Sequence, residues 1–216
     1  EKLQNFFGVF LHFQIGVDSR AMCEGSKEKG VMMGPKHYAF NHQESNRSGM
    51  STFISEQAAR ENELRCFQGA YQSNAAQGMM TAFNRAGPSF SGAHEGLMVQ
   101  ILRSEWGYTG WIITDMVNGS DYMNWRDTIA YGGGGLVSKT AYQDSIIGDP
   151  ATQANLALIA KDHTFQAEVQ ETIKYFLYNM ANSNYMNYVT ANTTFRYVTP
   201  WWQTMLTVVD VVLGVL

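Results

Sequence analysis

Three short apolar runs recur along this chain, and each is closed by turn-forming or ionisable residues. They are Gly30-Val31-Met32-Met33-Gly34, Gly78-Met79-Met80-Thr81-Ala82-Phe83 and Gly110-Trp111-Ile112-Ile113-Thr114. A run of this length with no polar alternation has the pattern of a strand covered on both faces. Between the first two lies a segment that Ser51 could cap, with Leu64, Phe67 and Tyr71 on one side and Glu56 to Arg60 and Glu61 to Arg65 spaced four apart, which predicts a helix. A second helix is expected around Leu97, Ile101 and Leu102. Strands separated by helices imply parallel pairing, because a parallel neighbour needs a connection long enough to return to the starting edge. The class is therefore α/β. Polar groups recur just past the strands: Lys36 and His37, then Asn84 and Arg85, then Asp115. In barrels and open α/β sheets alike, the carboxyl ends of strands carry the chemistry, so these groups are expected to face one mouth.

The flanks are less constraining. Leu3, Phe6, Phe7, Phe10, Leu11 and Phe13 recur at spacings of three and four, predicting a helix over Glu1 to Ile15 with one buried face. Thr128 to Tyr131 is a weaker fourth strand candidate that runs into four glycines. A helix is expected to begin at Asp149-Pro150, and Phe165, Val169, Ile173, Phe176 and Met180 mark a longer amphipathic one that covers the sheet. Asn182 to Thr194 reads as a connection, and Trp201 to Leu216 is apolar but shorter than the roughly 20 residues a bilayer span needs. The 216 residues carry a net charge of −4 and are 45% hydrophobic, which excludes a disordered tail and makes nucleic acid a poor partner. Cys23 and Cys66 allow at most one bridge, no Cys and His spacing resembles a zinc site, and Gly132 to Gly135 lacks the spacing and following helix of a phosphate loop. The chain opens on Glu1 with no signal pattern, and is read as a processed or excised piece.

Asp115 ends a hydrophobic run, and a carboxylate at the edge of a dry core needs a partner or a job. Accepting loop backbone hydrogen bonds would satisfy it equally well, just as Lys36 and His37 suit a solvated strand end and Arg47 a surface loop. Their joint placement shifts the balance toward a site. Here the residues carry a family resemblance. Lys36-His37-Tyr38-Ala39-Phe40-Asn41-His42-Gln43-Glu44-Ser45-Asn46-Arg47 resembles the Lys-His-Phe-Ala-x-Asn-x-Gln-Glu-x-Asn-Arg signature of family 3 glycoside hydrolases of the β-glucosidase type. Met80-Thr81-Ala82-Phe83-Asn84-Arg85 resembles the Met-x-Ser-Tyr-Asn-Arg strand end of that family. Leu102 to Asp115 is similar to its Leu-Arg-x-Glu-Trp-Gly-Phe-x-Gly-x-Val-Val-Ser-Asp stretch, which ends on the catalytic nucleophile.

The resemblance implies that Asp115 is the nucleophile of a retaining mechanism, with no metal or organic cofactor. It makes Lys36, His37 and Arg47 cationic donors to the sugar in the innermost subsite, with Met80, Phe83 and Met116 also lining it. Phe83 stands where the family usually has Tyr and Met116 where it has Trp, so one hydroxyl and one aromatic platform are lost. The absence of a Lys-His-Phe-Pro-Gly-His-Gly segment favours a glucose-like or xylose-like substrate, namely a β-linked oligosaccharide or glucoside. A (β/α)8 barrel takes about 250 residues, so the expectation is the second half of a TIM-type barrel over residues 1–163, followed by a helical C-terminal extension over 164–216 that could begin a membrane anchor. The remaining barrel, from the rest of the enzyme or a second chain, would complete the site and supply the acid/base, for which sequence cannot choose among Glu44, Glu56 and Glu95. A secreted or cell-surface location is favoured over the cytoplasm. The rival expectation is a non-catalytic carbohydrate-binding or structural subunit that keeps the half-barrel.

Overall fold

The computed structural model describes residues 2–116, 122–137, 160–188, 192–194 and 196–215. The helix expected to begin at Asp149-Pro150 lies outside them. Helix α1 (Lys2–Glu28) runs well past Ile15. Its packing face is made of small residues: Gly16 and Cys23 are buried and His12, Ser19 and Ser26 partly covered, at alternating spacings of four and three, whereas Leu11, Phe13, Ile15, Val17 and Met22 face outward. The side chains of residues 2–10 lie outside the described ones, and of the apolar set expected to be buried Leu11 and Phe13 are exposed. A Cβ on Gly16 would meet the Arg65 carbonyl oxygen at 2.7 Å, and one on Gly69 would meet the Gly16 carbonyl oxygen at 2.8 Å. Two glycines thus allow two helix backbones to touch, which larger side chains would forbid.

Strand β1 (Lys36–Tyr38) lies downstream of the expected Gly30–Gly34 run. Val31 and Met32 are exposed, and the run joins the sheet only through the Met33 carbonyl, which accepts from Gln77 N at 3.0 Å and Gly78 N at 2.9 Å. Pro35 then interrupts, having no N–H to donate, and regular pairing begins at Lys36. Lys36 and His37 are consequently within the strand and not beyond it. Ser51 is likewise no helix cap: it forms β2 (Ser51–Thr52), and Ser55 caps α2 (Glu56–Ala58) by accepting from Ala58 N at 3.3 Å. A π-helical turn, Ala59–Glu63, leads through the buried Leu64 into α3 (Arg65–Gln72), on which Ala70 and Tyr71 are buried. Arg60 takes both Glu56 at 2.8 Å and, through two parallel bonds, Glu105 at 2.7 and 2.8 Å. Glu61 and Arg65 instead bond Gln57 and Gln68.

Strand β3 (Gly78–Thr81) follows as expected. Just past it, β4 (Arg85–Ala86) doubles back on β5 (Ser89–Phe90) through Gly87 at φ +59°. With β2 these form a small sheet ordered β2-β4-β5. A π-helix, Gly96–Glu105, buries Leu97, Met98, Ile101 and Leu102, and leads to β6 (Trp111–Met116). Thr128 to Ala130 is helical, not a strand: Asn124 caps α4 (Trp125–Ala130) by accepting from Arg126 N at 3.0 Å and Asp127 N at 3.2 Å, which sets the first turn. Gly132, at φ +84°, ends it, and the glycine run delivers β7 (Gly135–Val137).

The main sheet is parallel throughout, in the order β1-β3-β6-β7. Its core joins Met79 and Ile112 to an aromatic cluster in which Tyr38 meets Phe67 and Tyr71 edge-on at 5.5 and 5.9 Å, and Tyr71 meets Tyr108 at 4.8 Å. Cys23 and Cys66 are both free thiols. Helix α5 (His163–Ala181) covers the sheet through Phe176, whose ring lies 4.9 Å from Trp111, and buries Phe165, Thr172 and Asn179 at intervals of seven, while Ile173 faces solvent. The segment expected to be a plain connection includes α6 (Asn184–Tyr188). Helix α7 (Trp201–Val215) leaves Trp201, Trp202 and Leu213 exposed. No helix among the described residues is long and apolar enough to cross a membrane.

Candidate active site

Asp115 is the fifth residue of β6, near the carboxyl end of an inner strand, and His37 lies in β1, two strands away. Along β6 the less covered Trp111 and Ile113 alternate with the buried Ile112 and Thr114, as a pleated strand requires, and the alternation breaks at Asp115, which is also buried. The pairing of β6 with β7 shifts register between Ile113 and Met116, and that of β1 with β3 shifts between Lys36 and Tyr38. Each shift brackets one of the two side chains. Such irregularities re-aim a residue that regular pleating would send elsewhere, and here they let the two groups meet across β3.

The Asp115 side chain is 10% exposed, and its Oδ2 stands 3.1 Å from His37 Nε2 and 3.9 Å from Arg47 Nη1. Oδ1 accepts from the Met116 N–H at 2.8 Å. The His37 approach is close but not aligned as a hydrogen bond, so Oδ2 is a buried carboxylate oxygen with charges beside it and no hydrogen-bond donor of its own. Burial lowers the imidazole pKa of His37 below its ordinary 6.5, the neighbouring Asp115 opposes this, and Lys36 and Arg47 reinforce it. The balance favours the neutral imidazole.

Arg47 is held on three sides. Its Nη2 lies 3.0 Å from Glu44 Oε1, its Nη1 faces Asp115, and its Cζ stands 4.5 Å over the Phe83 ring. The face of Phe83 thus seats a guanidinium, a role that needs the ring and no hydroxyl. Lys36 is exposed, and its side chain makes no hydrogen bond or ion pair within the described residues. Met80 sits in β3 beside Lys36 and Ile113, half-buried, and Met116 packs on the Phe83, Phe90 and Met123 cluster. Asn84 and Arg85, expected at the same mouth, turn into the small sheet: Asn84 is fully buried and bonds Thr52, and Arg85 lies over the Tyr122 ring at 5.1 Å. Tyr122 was not foreseen, since nothing in its local pattern marks it. Its hydroxyl donates to the Phe83 carbonyl at 2.7 Å.

Among the carboxylates considered as acids, Glu44 is paired with Arg47 and Glu56 with Arg60. A cavity of about 730 Å³ is lined by Phe40, Phe53, Leu64, Pro88, His94 and Leu97, and Asp115 does not line it. Among the described residues no three His, Cys, Asp or Glu side chains converge as a metal site would require.

Comparison with known proteins places this arrangement. Residues 17–128 match the family described as Glycosyl hydrolase family 3 N terminal domain. The probable beta-glucosidase J of Aspergillus fumigatus is 35% identical over 100 residues, which cover 46% of this chain and 12% of that protein. The beta-glucosidase of Ruminococcus albus is 27% identical over 175 residues, 81% of this chain and 18% of the relative. Among solved structures, a beta-glucosidase from Paenibacillus barengoltzii superposes with a TM-score of 0.67 at 24% identity, covering 85% of this chain and 20% of its own. The chain thus spans about a fifth or less of the length of these proteins. Its parallel sheet and crossover helices are of the TIM-barrel-like kind, and the chain belongs to glycosyl hydrolase family 3, matching its N-terminal domain.

Proposed function

We propose that this chain carries the nucleophile-bearing part of a retaining glycoside hydrolase that releases terminal β-linked glucose, or xylose, from oligosaccharides. Asp115 Oδ2 attacks the anomeric carbon, the glycosidic C–O bond breaks, and the leaving oxygen takes a proton from a general acid supplied elsewhere in the complete enzyme. Water then cleaves the glycosyl ester and frees Asp115. The observation that carries this reading is the buried, donor-free Oδ2 of Asp115, 3.1 Å from His37 and 3.9 Å from Arg47 at the end of a parallel strand. A carboxylate that served only to accept loop hydrogen bonds would have both oxygens engaged.

Lys36, His37 and Arg47 are read as donors to sugar hydroxyls, with Met80, Phe83 and Met116 around them. The relatives' names and a glucose complex of the related beta-glucosidase DesR from Streptomyces venezuelae support a glucoside as substrate. The four strands are read as half of an eight-stranded barrel spanning 1–163, with 164–216 as a helical extension, because among the described residues no further strand pairs with β1 or β7. The test is chemical rescue in the full-length protein: Asp115→Ala abolishes hydrolysis of an aryl β-glucoside, and azide restores turnover with an α-glucosyl azide product. Undiminished hydrolysis by Asp115→Ala overturns the assignment. A wild type that binds glucosides without cleaving them would instead favour the non-catalytic reading, which the missing Phe83 hydroxyl motivates.

A further inference from the structure

The loop that carries Arg47 is a turn with few anchors of its own. Met50 N donates to the Arg47 carbonyl at 3.3 Å, and Gly49 occupies the third position at φ +72°, the place where a type II turn needs a left-handed residue. Glu44, the side-chain partner of Arg47 on the same loop, is exposed and cannot fix the loop to the sheet. What fixes it lies at the end of β3. The Phe83 carbonyl accepts from Gly49 N at 3.3 Å and from the Tyr122 hydroxyl at 2.7 Å. The Tyr122 ring lies flat enough against Gly49 that a Cβ there would stand 3.4 Å from two of its atoms. Arg85 covers the ring at 5.1 Å and Phe90 meets it edge-on at 6.0 Å, so the ring is clamped between the small sheet and the turn. Burial, together with the charge of Asp115, raises the pKa of the Tyr122 hydroxyl and keeps it a donor, while Ser48 and the Gly49 N–H lie close enough to oppose the shift.

We propose that Tyr122 is a positioning residue: it pins the Arg47–Met50 turn to the end of β3, and through that turn sets where the Arg47 guanidinium stands relative to Asp115 and Phe83. One side chain reaches three parts of the site together. It bonds the backbone of the residue whose ring seats Arg47, it backs the turn that begins at Arg47, and it comes from the chain segment that follows the nucleophile strand. The contacts of Tyr122 lead to the turn and to Phe83, so its effect appears in how well Arg47 binds.

This inference rests on the nucleophile reading of Asp115, and a double-mutant cycle separates the two. In the full-length protein, kcat and KM for 4-nitrophenyl β-glucoside are compared for wild type, Tyr122→Phe, Arg47→Ala and the double variant. Tyr122→Phe keeps the ring and removes only the hydroxyl. The expected result is a loss of about tenfold in kcat/KM, mostly in KM, that shrinks below about twofold when Arg47 is already gone. The thermal midpoint of each variant confirms that folding is retained. No loss, or the same loss with and without Arg47, overturns the positioning role while leaving Asp115 untouched. A wild type that neither hydrolyses the glucoside nor forms an adduct on Asp115 overturns the nucleophile reading, and the inference falls with it.

Discussion

Phe83 shows how a residue that departs from a family pattern can acquire a different use. Read from sequence it is a tyrosine that has lost its hydroxyl; in the structure its ring seats Arg47 at 4.5 Å, and its carbonyl gathers Gly49 and Tyr122. A cation over an aromatic face contributes between about 0.5 and 2 kcal/mol. Phe83→Leu keeps the residue apolar and removes the face, so KM of the full-length protein for an aryl β-glucoside is expected to rise between about twofold and thirtyfold. Phe83→Tyr, which keeps the face, is expected to change it little. Equal KM for both variants would show that Arg47 does not need the ring. At this scale the motifs made Asp115, His37 and Arg47 legible, because each stands in a long run of matching residues. The charge of His37 was not legible, since it depends on burial, and neither was Tyr122, whose hydrogen bond to Phe83 and ring contacts with Arg85 and Phe90 join residues distant in sequence.

Elements were legible where periodicity and packing agree. Strands β3 and β6 lie where their apolar runs predict, and Leu64, just before α3, and Tyr71, on it, are buried as their spacing requires. Helix α1 breaks that agreement, because small residues form its contact face, and smallness leaves no signal in a hydrophobic pattern. Strand β1 was misplaced because Val31 and Met32 satisfy the pattern of a covered strand while Pro35 delays the pairing. The helix contact supplies a test with an internal control. Gly16→Ala and Gly69→Ala each drive a methyl into backbone at 2.7 or 2.8 Å, an overpacking cost of about 1–3 kcal/mol that outweighs the gain in helix propensity. Gly25, on the same helix α1, has open space around it, so Gly25→Ala is expected to stabilise by up to about 1 kcal/mol. Urea unfolding of the three variants checks the signs. Stabilisation by Gly16→Ala would mean that the helices do not approach as closely as described.

For the whole molecule, the alternation of strands and helices was enough to give a parallel α/β sheet, and the ordered motifs were enough to give the family. The small β2-β4-β5 sheet escaped because its strands are two residues long and β2 pairs with a partner remote in sequence. What unites the molecule is its use of irregularity: two register shifts in an otherwise regular sheet turn His37 and Asp115 toward each other, and a glycine turn brings Arg47 to the same carboxylate. The oxygen left without a donor there is the proposed nucleophile. Labelling of the full-length protein with a 2-deoxy-2-fluoro-β-glucosyl reagent, followed by intact mass and peptide mapping, tests this at the atom concerned. One fluoroglucosyl adduct per chain is expected, on Asp115, and none on Asp115→Asn. A wild type that hydrolyses glucosides but carries its adduct on another carboxylate would contradict it.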